Sequence, residues 1–568
     1  MPDYEINLPH FNFDEKTDLE KFKFWVLDKT HSGDGATPFF MWCWMIDYVG
    51  LGTQKGAEIL SVPTTRGMDW RTKNGAFYMR TLAVMDEEEQ KKREKLYRER
   101  IRPFIEDIDK VWEEEYKEKL FGMYERFYAV DLAVLSDIEL LKLWEELVRP
   151  IHQFSAECHF VFGYPFFSVP RIFWDGCKEF GIEPYDPLSM ALLQGVGNKL
   201  VECDMKIWNL SRRVKDLGLT DIFDNSTNSE EIKRKLSESA NGKMWLKELD
   251  EFLSEYGYRM VKIFEVDTPS WFEDQTTVFN QIKIDLSLDD SEDPALRLEE
   301  QIAKRQAAEK EFFERIPEDK KAYMEVLLRA AQKCSRWCDE HDFYLDMQTW
   351  TILRLWAMEV GRRFVKSGSI DQTDDIFLFV PEEILKMFIC ASYYDLRNIV
   401  KERRAVYEEN RRRIQEEEGY LPPALASPDV GMEEIGRITF MDGILASLGI
   451  TEPPLEHEGI EYDMAGNPGS PGEGEGTVRI VLTDKDLLKV KKGDIVVTPL
   501  MLATWSMVFP LINGLVVEAG GILNHGSILG REYGKPVVVN ILEGTKKLKE
   551  GQRIKIDGSK GLIWFLDK

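Results

Sequence analysis

Between Gly520 and Val539 the chain reads GGILNHGSILGREYGKPVVV, and one histidine, His525, stands where a strand-forming run ends and a helix-forming run begins. An unperturbed histidine is largely neutral near pH 7, and a neutral imidazole nitrogen can attack phosphorus. A helix start adds unsatisfied N–H groups and the positive end of the helix dipole, both of which stabilise an anion. Gly520, Gly521 and Gly526 let the backbone approach a ligand closely. These residue types point to an imidazole that takes up a phosphoryl group, with Arg531 on the same helix as a cation for the phosphoryl oxygens.

The pattern around His525 predicts a small α/β domain. TVRIVL, GDIVVTP, GLVVEAGG and PVVVNI read as strands, LMLATWSMVFPLI and HGSILGREYG as helices, and RIKIDGSKGLIWFL as a closing hairpin with Asp557-Gly558 as its turn. The run Ile495 to Val517 lacks charge and is long enough to span a bilayer, but Pro499, Pro510, Asn513 and Gly514 interrupt it. It is read as strand, short helix and strand in a soluble core. The preceding chain is mainly helical, with apolar residues at three- and four-residue spacing and charges between, and a smaller β element near GAFYMRTLAV. The fold class expected is multidomain, α plus α/β. A helical domain spans 1–418, a linker region 419–478 and the α/β domain 479–568. The Gly/Pro-rich stretch 463–476 is expected to be a flexible arm.

The net charge of −27 over 568 residues leaves no electrostatic footprint for nucleic acid or anionic lipid. The seven cysteines include no CxxC pair, which predicts a reduced protein of the cytoplasm. Cys334 and Cys338, close to His341, are read as helix-borne thiols and not as a metal site. The N-terminus, acidic and without an apolar run, does not read as a signal peptide.

The stretch 520–539 resembles the phosphohistidine swivelling domain of phosphoenolpyruvate (PEP)-utilising enzymes, matching at Gly520, Gly521, His525, Ile528, Arg531, Glu532, Gly534 and Pro536. Leu523 stands where the dikinases of that family carry threonine. Residues 24–39, 192–211, 256–274 and 374–384 resemble the acceptor-binding helical domain of rifampicin phosphotransferases, with Tyr258 where that family has a histidine. The whole is most similar to the large subunit of phenylphosphate synthase. The resemblance implies that a separate ATP-grasp subunit binds Mg-ATP and phosphorylates His525. The domain then swings, and the phosphoryl group passes to phenol or a related small aromatic hydroxyl, with AMP and phosphate released. No ATP-grasp domain or PEP-handling barrel is expected within the chain. The alternatives are another hydroxylated acceptor, such as a rifamycin-type antibiotic, or a non-catalytic subunit that kept the fold.

An acceptor site of that kind needs a base, cations and apolar walls. His31 and His159 are the candidate bases, Phe160, Phe162 and Tyr164 the candidate walls, and Arg66, Arg80, Arg259 and Lys262 the candidate cations.

Overall fold

The structure is a computed structural model that describes residues 12–32, 35–260, 266–417, 419–430, 457 and 459–567. It divides into two compact units. The first comprises Met1–Tyr164, Ile263–Thr268 and Leu345–Gly443, and the second Pro165–Lys262, Pro269–Tyr344 and Ile444–Lys568. The helical domain expected over 1–418 is therefore shared between both units. Helical periodicity identifies a face to be buried but not the core that buries it.

In the first unit a four-stranded sheet runs in the order β2-β3-β1-β4, with β1 Phe24–Leu27, β2 Thr65–Lys73, β3 Ala76–Ala83 and β4 Ala424–Ala426. Trp25, Leu27, Tyr78 and Leu425 form the apolar cluster on this sheet. The expected β element near GAFYMRTLAV is β3, and β4 falls in the expected linker.

The helical part of the second unit is organised by the helix Lys199–Asp216. Asn198 caps it, its Oδ1 accepting from the backbone N–H of Leu200 and Val201. Cys203, Ile207, Leu210 and Val214 follow at helical spacing and pack against Trp245, Phe252 and Phe279.

The remainder of that unit is an eight-stranded sheet, ordered β5-β12-β11-β7-β8-β9-β10-β6. The strands are β5 Met464–Ala465, β6 Asn467–Ser470, β7 Glu473–Ile480, β8 Asp494–Thr498, β9 Gly514–Val517, β10 Val537–Val539, β11 Arg553–Asp557 and β12 Leu562–Phe565. β7 to β10 are parallel neighbours, and the others join antiparallel. Val478, Ile495, Val497, Val516 and Ile556 fill the core.

The stretch 463–476 is not a flexible arm: it supplies β5, β6 and the start of β7. Pro468 lies on β6, an edge strand where a missing N–H breaks no ladder bond. The glycines serve close approach. A Cβ at Gly474 would lie 2.2 Å from the carbonyl oxygen of Asn513, and one at Gly476 2.3 Å from that of Gly493. A second difference lies between β8 and β9, where the expected helix is only a 3₁₀ turn, Ala503–Val508. Pro499 and Pro510 bracket this turn.

The helix His525–Tyr533 packs on β6 and β10 through Gly530, where a Cβ would lie 2.3 Å from Cγ2 of Val537 and 2.9 Å from Cβ of Ser470. Gly530→Ala is expected to destabilise the protein by about 1–3 kcal/mol through overpacking, read as a lower midpoint in thermal or urea unfolding.

Candidate functional site

His525 is delivered by the turn that leaves β9. Gly520 has φ +130°, a conformation that side chains rarely adopt, and Asn524 then caps the helix, its Oδ1 accepting from the N–H of Gly526 at 2.9 Å. The imidazole is 22% exposed. Its Nδ1 lies 2.6 Å from Oδ1 of Asp339, which is fully buried at the end of the helix Glu318–His341. A carboxylate can only accept, so Nδ1 carries the proton and the Nε2 lone pair is available. The other oxygen of Asp339 accepts from Nδ2 of Asn198 at 2.7 Å. Asn198 thus caps one helix with its oxygen and holds the histidine's partner with its nitrogen.

Asp342 lies on the other side of the ring, with Oδ2 3.6 Å from Nε2 of His525 and Oδ1 3.3 Å from Nε2 of His341. The Nδ1 of His341 donates to the carbonyl of Trp337 at 3.0 Å, so contact of its Nε2 with a carboxylate requires a shared proton. The His341 ring rests on Phe166 and runs nearly parallel to that of His525.

Arg531 is buried beneath this helix. Its Nη1 donates to the carbonyls of Gly469 and Ile522 at 2.9 and 2.8 Å, bracing β6 and the turn before His525. Burial pushes its guanidinium down to about 10, against the pull of the Glu532 and Asp339 carboxylates. Glu532 points the opposite way and accepts from the N–H groups of Val196 and Gly197, both at 3.0 Å. Tyr533 and Ser506 donate to the two oxygens of Asp204. Burial raises the Asp204 carboxyl above its usual range while Arg259 opposes the rise. Arg259, one of the candidate cations, is buried over Trp271 and serves that carboxylate.

The other candidates lie in the first unit, except Lys262, which falls outside the described residues. His31 and His159 do gather there with Phe160. His31 is bound to Asp28 through Nδ1 at 2.7 Å and lies against Trp44, which stacks on Tyr48. Tyr48 meets His159 at 3.2 Å, and His159 packs on Phe160. Burial pushes His159 down to about 3, so the ring meets Asp346 as a neutral imidazole and is a weak base near neutral pH. Phe162 instead packs among Phe104, Trp112 and Tyr116, and the Tyr164 hydroxyl donates to the carbonyl of Thr53. Arg66 pairs with Glu89, and Arg80 lies near Asp69 over the ring of Phe22.

Asp339, Asp342, Asn198, Asp204 and Glu532 have no assigned role in the sequence reading. One signal is present in the sequence: CDEHD at 338–342 crowds three acids around a histidine. Cys338 is simply a buried thiol whose Sγ lies 3.5 Å from the carbonyl of Cys334.

Two family descriptions match this chain. Residues 172–339 match the rifampicin phosphotransferase fourth domain, and residues 490–561 match the PEP-utilising enzyme mobile domain. Asn198, Asp204 and Asp339 fall in the first match and His525 in the second. Among similar proteins, an uncharacterised phosphotransferase, YvkC, of Bacillus subtilis is 26% identical over 66% of this chain and 43% of its own length. A rifampicin phosphotransferase of Bacillus cereus is 26% identical over 56% of this chain and 34% of its own length. A chondramide synthase of Chondromyces crocatus is 24% identical over 74% of this chain and 11% of its own length. The chain thus spans less than half the length of these relatives. Among the described residues no helix is long and apolar enough to cross a membrane.

His159 and His152, the latter pushed down to about 4 by burial, take up protons more readily in the unfolded chain. Their depressed values imply stability that is present above pH about 6.5 and lost as pH falls toward 3. His159→Gln is expected to reduce the pH slope of unfolding free energy between pH 6.5 and 4 by about 1 kcal/mol per pH unit, measured by urea titrations across that range.

Proposed function

We propose that this chain, which combines a PEP-utilising mobile domain with a rifampicin phosphotransferase-like region, is a phosphotransferase that carries a phosphoryl group on His525. The observation that carries the reading is the 2.6 Å contact of Nδ1 with Asp339, which holds the ring in the tautomer whose Nε2 is nucleophilic.

In the loading step the Nε2 lone pair attacks the β-phosphorus of Mg-ATP and AMP leaves with the electron pair of the broken P–O bond, while water takes the γ-phosphoryl group away as phosphate, so that one phosphoryl group stays on Nε2. The resemblance to phenylphosphate synthase supports a separate ATP-grasp subunit as the loader. In the discharge step an acceptor hydroxyl attacks the phosphorus. The N–P bond breaks, its electron pair returns to Nε2, and the hydroxyl proton passes to a base. Asp339 accepts the Nδ1 proton of the unmodified ring and fixes its orientation, so that the Nε2 lone pair is the one presented. Phosphoryl transfer depends mainly on positioning and charge, so holding one ring atom contributes directly to rate.

The acceptor we propose is phenol or a related aromatic. The cluster of His31, Trp44, Tyr48 and Phe160 in the first unit supports an aromatic acceptor. His31 is the better base of the two candidates. Asp28 orients it as Asp339 orients His525, and it is 20% exposed, whereas burial suppresses the basicity of His159.

Incubation with the loading subunit and radiolabelled ATP is expected to place an acid-labile, base-stable label on His525. His525→Ala is expected to fold normally, carry no label and have no turnover. An unlabelled wild-type His525 would refute the phosphotransferase reading. Asp339→Asn, which removes the charge that selects the tautomer, is expected to lower kcat about 100-fold or more with KM for the acceptor little changed, read by steady-state kinetics. Phosphate transfer to a panel of phenols and rifamycins then identifies the acceptor.

A further inference from the structure

The face of the sheet domain that carries His525 is held to the helical part of its own unit by polar contacts. Glu532 accepts from Val196 and Gly197, Asp204 accepts from Tyr533 and Ser506, Lys492 pairs with Glu292 at 3.0 Å, and Asp339 holds His525. The receiving residues 196–204 lie in the stretch 192–211 singled out from the sequence without a role for any residue. Polar contacts of this kind can be exchanged for water without exposing a large apolar core.

At the centre of this interface the ring of His525 is flanked by two buried carboxylates, Asp339 at Nδ1 and Asp342 at Nε2. An unmodified ring suits them, because it donates to one and adds no negative charge. A phosphoryl group on Nε2 brings a charge of about −2 into the space facing Asp342, which is 1% exposed and therefore poorly screened. We infer that Asp339 and Asp342 make this docking surface selective for the unphosphorylated form of His525, so that phosphorylation releases the domain from residues 196–204. The inference rests on the phosphohistidine reading. It deepens that reading by assigning the structure seen here to the discharged state, and the loaded state to an undocked one.

The amides of Val196 and Gly197 report docking directly, because each donates to Glu532. Hydrogen exchange of the full chain, followed by mass spectrometry, therefore tests the inference without a loading enzyme. His525→Glu places a negative charge between the two carboxylates, and His525→Gln places a neutral donor there. The expected result is exchange at 196–197 about 10-fold faster in His525→Glu, with His525→Gln close to wild type. Adding Asp339→Asn and Asp342→Asn to His525→Glu is expected to restore protection, which a general loss of folding would not allow. The helix Ala240–Tyr256 serves as the internal control for folding. Equal protection at 196–197 in His525→Glu and His525→Gln overturns the inference, as does failure of the two asparagines to restore it. Either result leaves the labelling of His525, and hence the phosphotransferase reading, to stand or fall separately.

Discussion

The carboxylate of Asp339 lies 2.6 Å from Nδ1 of His525 and is shielded from water, so a ring that turns or changes tautomer takes from this buried group one of its two side-chain donors, the other being Asn198. Leaving a buried acceptor without its donor typically costs about 1–3 kcal/mol, which is appreciable against the stability of a whole domain. That constraint reaches back through Asn198, whose amide divides its hydrogen bonds between Asp339 and the start of a core helix. It reaches forward through the cap at Asn524 and the glycine turn that sets where the histidine emerges from the sheet. The position of one nitrogen is therefore tied to the packing of two different parts of the unit.

Arg531 and Glu532 are adjacent in sequence, both buried, and turned to opposite tasks. Arg531 ties the helix to its own sheet through two carbonyls, and Glu532 ties it to the amides of Val196 and Gly197. Inside the sheet domain the contacts that accompany Arg531 are apolar and close, as Gly530 against Val537 shows. Those that accompany Glu532 are hydrogen bonds and ion pairs. One helix thus has a side suited to permanence and a side suited to exchange.

Environment also separates the histidines. His159 and His525 each meet an aspartate through Nδ1. His159 is enclosed among aromatic rings, and burial holds it neutral and weakly basic. The ring of His525 retains an exposed edge at a helix start. The same side chain is a structural element in one place and suited to nucleophilic attack in the other, and neither burial nor partner can be read from residue type alone.

The sequence alone determined the elements around His525, because strand alternation, the Asn524 cap and the glycine turns are local signals within a few residues. It also offered His525 as the candidate phosphohistidine, through the resemblance of 520–539 to the phosphohistidine domain of PEP-utilising enzymes. Only the tertiary structure decided that the glycines of 463–476 build strands, because close approach to Asn513 and Gly493 is a property of distant backbone. It alone selected Asp339, Asp342 and Asn198, which lie far from His525 along the chain, Asp339 186 residues away. It also divided the helices between two units and set His31 apart from His159 in burial. Hydrogen-bond partners and desolvation arise from which surfaces meet, and amphipathic periodicity records that a face is buried without recording against what.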